Sequence, residues 1–155
     1  MTLLEMESAV DKTIDRLFDE LQAKNRGLLD PAIVDARKTS IYLPRLYALG
    51  MKYGVCLAYE MKGDKRWYLF GGSWYEATKQ LVFAYLNRKE DRPHKEWTVF
   101  RHSFEAVGGS EFNFNSWLVS RPGKPKSSPS LRAIVKLALF LGIAIEWRKL
   151  PVQTR

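Results

Sequence analysis

Val55-Cys56-Leu57-Ala58-Tyr59-Glu60-Met61, then Lys62-Gly63-Asp64-Lys65, then Arg66-Trp67-Tyr68-Leu69-Phe70 is the stretch on which the fold turns. The first run is apolar and rich in strand formers. The tetrad after it is a turn, with Gly63 supplying a positive φ cheaply. The third run is mostly aromatic and reads as a second strand. Gly71-Gly72 breaks that strand, and Ser73-Trp74-Tyr75-Glu76 has the spacing of a capping box. Trp74, Ala77, Leu81 and Tyr85 then share one face of a helix expected to reach about Arg88. The unit is a β-hairpin feeding a capped amphipathic helix.

Upstream, Thr2 to Lys24 reads as a long helix opened by a Thr2–Glu5 capping box. Leu3, Met6, Val10, Ile14, Leu17, Phe18 and Leu21 form its apolar stripe. Glu7, Asp11, Asp15 and Asp19 repeat at four-residue steps on another face, a line of like charges that weakens an isolated helix. The stripe needs a cover, either the body of the protein or a second copy in a homodimer through residues 2–24. Asn25-Arg26-Gly27 ends this helix, and Asp30-Pro31 opens a short second one. Ser40 to Leu43 reads as extended before Pro44, and Arg45 to Lys52 as a helix, with a strand as the alternative.

Downstream, Glu96 to His102 reads as a strand, with Trp97, Val99 and Arg101 on one face, and Phe104 to Gly109 as a turn. Glu111 to Ser120 alternates like a further strand, which with Ser130 and the helix after it echoes the Trp67–Leu86 pattern. Arg121 to Ser130 is a Pro/Ser/Gly loop. The last helix follows, apolar almost all round, ended by Gly142 and succeeded by a strand over 143–147. These elements predict an α+β fold: a small mixed sheet with a central hairpin–helix unit, covered by several helices. At 155 residues one domain is expected, an acidic helix over 1–25 in front of a basic α+β body over 37–155.

The charge is uneven. The chain carries +8 overall, while residues 1–36 hold eight acidic and four basic side chains, so the remainder carries +12. No acidic residue falls between Glu111 and Glu146, where Arg121, Lys124, Lys126, Arg132 and Lys136 lie. A basic body attracts polyanions, chiefly nucleic acid. The start Met1-Thr2-Leu3-Leu4-Glu5 lacks the pattern of a secretory signal, and the most apolar run, residues 137–145, is too short to span a bilayer. The lone Cys56 has no intramolecular partner and suits a reducing, cytoplasmic setting as an inert core thiol. No cofactor, metal or membrane contact is expected.

Three site readings follow. Arg121, Lys124, Lys126 and Arg132, beside the amides opening the last helix, are candidates for phosphate contacts, joined by Lys65 and Arg66 on the hairpin. The hairpin aromatics could stack on bases or form the core. Glu60 and Lys62, two apart on a strand, resemble the acid–lysine pair of metal-dependent nucleases; an exposed cross-strand ion pair accounts for the glutamate equally well. Function therefore reads as non-catalytic nucleic-acid binding, DNA or RNA, by a regulatory or accessory protein. The alternatives are a module that binds an acidic protein partner, and a metal-dependent nuclease.

Gly72-Ser73, Glu76-Ala77, Lys79-Gln80 and Leu86 are similar to the second helix of double-stranded-RNA-binding domains. That family has three strands before this helix and two lysines after the serine that touch phosphates. Here two strands are read upstream, and Trp74 and Tyr75 take the lysine positions. The likeness covers residues 72–86 and implies a hairpin-and-helix shape suited to nucleic acid.

Overall fold

The computed structural model describes residues 2–38, 41–61, 65–69, 74–85, 94–108 and 129–149. In chain order these give α1 (Leu3–Lys24), α2 (Pro31–Lys38), α3 (Leu43–Lys52), β1 (Val55–Met61), β2 (Lys65–Leu69), α4 (Trp74–Tyr85), α5 (His94–Ala106), α6 (Leu131–Leu141) and β3 (Ala144–Lys149). The strands pair antiparallel in the order β2-β1-β3. The fold is α+β, a small sheet covered by helices. The Lys62–Asp64 turn, the Ser73 cap and the strand read over 111–120 lie outside the described residues.

Register separates the two faces of the sheet, because side chains alternate along a strand. Leu57 stands between Leu69 and Trp147, and Tyr59 between Trp67 and Ile145. This face meets the helices. The Tyr59 hydroxyl lies 3.2 Å from Thr78 Oγ1 of α4, Trp67 Nε1 donates to Gln80 Oε1, and Trp147 Nε1 donates to the Leu17 carbonyl of α1 at 2.8 Å. Gly50 of α3 lets that helix approach β1: a Cβ there would stand 2.6 Å from the Val55 carbonyl oxygen and 2.9 Å from the Trp147 ring. The other face carries Cys56, Ala58, Glu60, Arg66, Tyr68, Glu146 and Arg148.

The expected Thr2 capping box forms, and Ser130 caps the last helix. Thr2 and Glu5 exchange the two bonds of a capping box, and the Ser130 hydroxyl accepts from the Ala133 amide. Gly142, at φ 69°, closes α6 in the left-handed conformation. α6 is the most buried helix, and α1 lays Met6, Val10, Leu17, Phe18 and Leu21 against the core. From Met6 to Leu21 the apolar stripe of α1 is thus covered by its own chain, chiefly by α6 and α2, while Leu3 stays half exposed.

The segment around Glu96–His102 is a correction: it is not a strand but part of α5. Phe100 and Phe104, four residues apart, come onto one face and are both buried. The Phe140 ring of α6 lies 5.5 Å from Phe100 and 5.0 Å from Phe104, and Tyr85 of α4 lies 5.8 Å from Phe100. The helical spacing of these rings outweighs the short alternation of Trp97, Val99 and Arg101, because only the helix delivers both phenylalanines to the same aromatic cluster.

Candidate functional site

Two clusters gather the sequence-predicted residues that the structure describes. The first is on the outer face of the sheet. β1 places Glu60 opposite Arg66, and β3 places Arg148 on the same face opposite Cys56. Arg66 Nε donates to Glu60 Oε1 at 2.7 Å. Arg148 reaches along the strand and donates through Nε to Oε1 and through Nη2 to Oε2, at 2.7 and 2.6 Å. Arg66 Nη1 also points to the Tyr68 hydroxyl, 3.4 Å away, and its guanidinium lies 6.0 Å from the centre of that ring. One carboxylate therefore fixes two guanidinium groups side by side, leaving a net single positive charge. The bonds from Arg148 hold the Glu60 carboxyl below its ordinary pKa; burial opposes them, and the bond from Arg66 adds a smaller lowering. Tyr68 lies on this outer face, and Trp67 turns inward to α4.

Glu60 and Arg66 were legible as site candidates. Arg148 was not, because 88 residues separate it from Glu60 and only β1–β3 pairing joins them. Lys62 lies outside the described residues. Lys65 opens β2 opposite Met61. A metal at Glu60 would have to displace arginine donors from both of its oxygens, and among the described residues no group of three His, Cys, Asp or Glu side chains is arranged to hold one.

The second cluster lies where α1 meets α2 and α6. The acidic line of α1 is answered residue by residue. Arg132 donates to Glu7 and, at 2.8 Å, to Asp11; Lys136 lies 3.0 Å from Glu7; Arg37 donates to Asp19 at 2.8 Å and to Asp15 at 3.3 Å. The paired cations hold the Glu7 carboxyl below its ordinary pKa, Arg132 contributing most. Between the two arginines a groove of about 460 Å³ opens, floored by Ile14, Phe18, Ile41 and Leu131. Asp11, Asp15, Arg37 and Arg132 form its rim.

Arg132 thus sits in the first turn of α6 as an ion-paired side chain, 31% exposed. The amides of that turn are partly engaged: Leu131 donates to the Ile41 carbonyl at 2.8 Å and Ala133 to the Ser130 hydroxyl at 3.2 Å. Arg121, Lys124 and Lys126 lie outside the described residues.

Comparison of the chain with protein-family models, curated proteins and solved structures finds no match.

Proposed function

We propose that the protein is a non-catalytic nucleic-acid-binding protein with a regulatory or accessory role. One observation carries this reading: among the described residues, many acidic side chains are ion-paired within the chain. Glu7, Asp11, Asp15 and Asp19 meet arginines and a lysine of α2 and α6, Glu146 meets Arg16, and Glu60 meets two arginines. Each ion pair cancels one cation with one carboxylate, so the chain as a whole keeps the net +8 that attracts a phosphate backbone. Arg66 and Arg148, aligned by Glu60, form one ready pair of phosphate donors. Arg121, Lys124 and Lys126 form the other group, next in sequence to Arg132, whose guanidinium has five N–H donors and uses two on carboxylates.

The test is a titration of binding to DNA and to RNA against salt. Changing Arg121, Lys124 and Lys126 together to alanine should lower the slope of log affinity against log salt by ~2–3, without regard to sequence. Absence of binding to either polymer at low salt would refute the reading. Unchanged affinity and slope in the triple variant would leave binding in place and remove that segment from the contact.

A protein-interaction reading draws on a different feature. Leu28 and Leu29 are 66% and 79% exposed, yet their loop is pinned: Asn25 Nδ2 and Gln22 Nε2 both donate to the Leu28 carbonyl, and Leu28 N donates back to Asn25. A fixed pair of exposed leucines beside Lys24 and Arg26 suits an apolar, acidic partner. Binding of polyglutamate, with no binding of DNA or RNA, would favour it.

A further inference from the structure

The two longest stretches of the chain without an acidic residue are 36–59 and 112–145, and they hold four and five cations. The fold joins them at one point. Tyr42 forms an isolated antiparallel bridge with Ser130: the Leu43 amide donates to the Pro129 carbonyl at 3.2 Å, and the Leu131 amide donates to the Ile41 carbonyl at 2.8 Å. Pro129 follows Lys126 by three residues, so the bridge ties the basic segment Arg121–Lys126 to the backbone beside Tyr42.

Tyr42 is 53% exposed, a large aromatic side chain that the core does not use. Its backbone is held on one side by the bridge and on the other by α3, which it opens without a side-chain capping bond. Lys38 lies four residues before it and Arg45 three after it, and both are exposed. Arg37 and Lys52, the other cations of this stretch, are paired with Asp15, Asp19 and Asp30. Lys38 and Arg45 have no carboxylate partner among the described residues. Asp11 and Asp15, which share the groove with Lys38, are tied to Arg132 and Arg37. An exposed ring on a fixed backbone, flanked by two unpaired cations, has the makings of a stacking contact for a polyanion whose bases are open.

We propose that Tyr42 stacks on an unpaired base of a single-stranded nucleic acid, with Lys38 and Arg45 on the adjoining phosphates. Every base has a π-face, so the contact carries no base preference. A base inside a duplex is already stacked on its neighbours and does not offer that face to the ring. The inference rests on the nucleic-acid reading above and adds to it a contact residue and a form of the polymer.

The experiment measures anisotropy of labelled oligo-dT and of a duplex of the same length, over a range of salt concentrations. Tyr42→Ala should weaken oligo-dT binding about tenfold, the order of one base–aromatic stack, and leave duplex binding unchanged. Tyr42→Phe keeps the ring and should bind oligo-dT as wild type does. It also keeps the test valid if the alanine variant melts, because a loss in Tyr42→Phe overturns the stacking contact. The double change Lys38→Ala and Arg45→Ala should lower the slope of log affinity against log salt on oligo-dT by about 1.4, two phosphate contacts on a single strand. An unchanged slope overturns the role of these two cations. Unchanged oligo-dT affinity in Tyr42→Ala, or an equal loss on the duplex, overturns the stacking proposal and leaves nucleic-acid binding standing. Failure of the wild-type protein to bind either ligand overturns both.

Discussion

Asp30 joins two elements, α2 and α3, through one side chain. Its Oδ1 accepts from the Ala32 amide at the start of α2, and its Oδ2 accepts from Lys52 at 2.7 Å and from the Tyr53 hydroxyl, both at the end of α3. With the residue only 4% exposed, the bonds from Lys52 and then Tyr53 lower its pKa to about 2. The folded value lies below the ordinary one of 3.8. The stability it contributes is therefore present above about pH 4 and is lost as pH falls towards 2. Asp30→Asn should be less stable than wild type at neutral pH and should show a shallower loss of midpoint across that window in urea titrations. Tyr53 mirrors this: burial, then the bond to Asp30, raises its pKa to about 12, so its share is lost between pH 10 and 12. Glu60 gives a functional prediction on the same scale. Glu60→Gln removes a charge that competes with phosphate for Arg66 and Arg148. Nucleic-acid affinity should stay equal or rise, and a Mg²⁺-dependent cleavage lost in this variant would instead support the nuclease reading.

Among elements, α4 was the most legible and α5 the least. Trp74, Ala77 and Leu81 fall on one helical face by sequence, and all three are buried. Leu81 is 0% exposed, so Leu81→Ala should cost ~2–5 kcal/mol, read as a lower denaturation midpoint at unchanged m. An unchanged midpoint would mean that α4 contributes no packing at that face. For α5, the same residues offer a period of two and a period of 3.6, and local pattern does not choose between them. The choice is made by Phe140, Tyr85 and the space between α4 and α6. The acidic line of α1 shows the same dependence from the other side. Its repulsions are unfavourable in isolation, and Arg37, Arg132 and Lys136 turn them into the pairing that seats α2 and α6.

For the whole molecule, the cover over α1 has a consequence for assembly. Met6, Val10, Leu17, Phe18 and Leu21 are already packed inside the chain. A second copy on α1 would meet a mostly polar face, worth little to a partner in water, with exposed leucines only at its first turn, Leu3 and Leu4. Sedimentation should therefore give a single species near 18.0 kDa at micromolar concentration. A dimer that dissociates when charges on that polar face are reversed would show that the face carries an interface after all.

The sequence by itself determined the Thr2 cap, the hairpin strands, the turn at Gly142 and the burial of the α4 and α6 faces. These depend on neighbours within a few residues, where capping bonds, φ preferences and apolar period act directly. It also determined the +8 and the single cysteine, whose burial raises its pKa to about 11 and leaves it a poor nucleophile at neutral pH. Tertiary structure decided the partners of the charges. Glu60 finds Arg148 across a strand pairing, Arg132 finds Glu7 and Asp11 across a helix packing, and a groove is left where two helices meet a third without closing. Those contacts join residues far apart in the chain, so no local pattern encodes them; they exist only once the apolar faces have fixed which elements lie side by side.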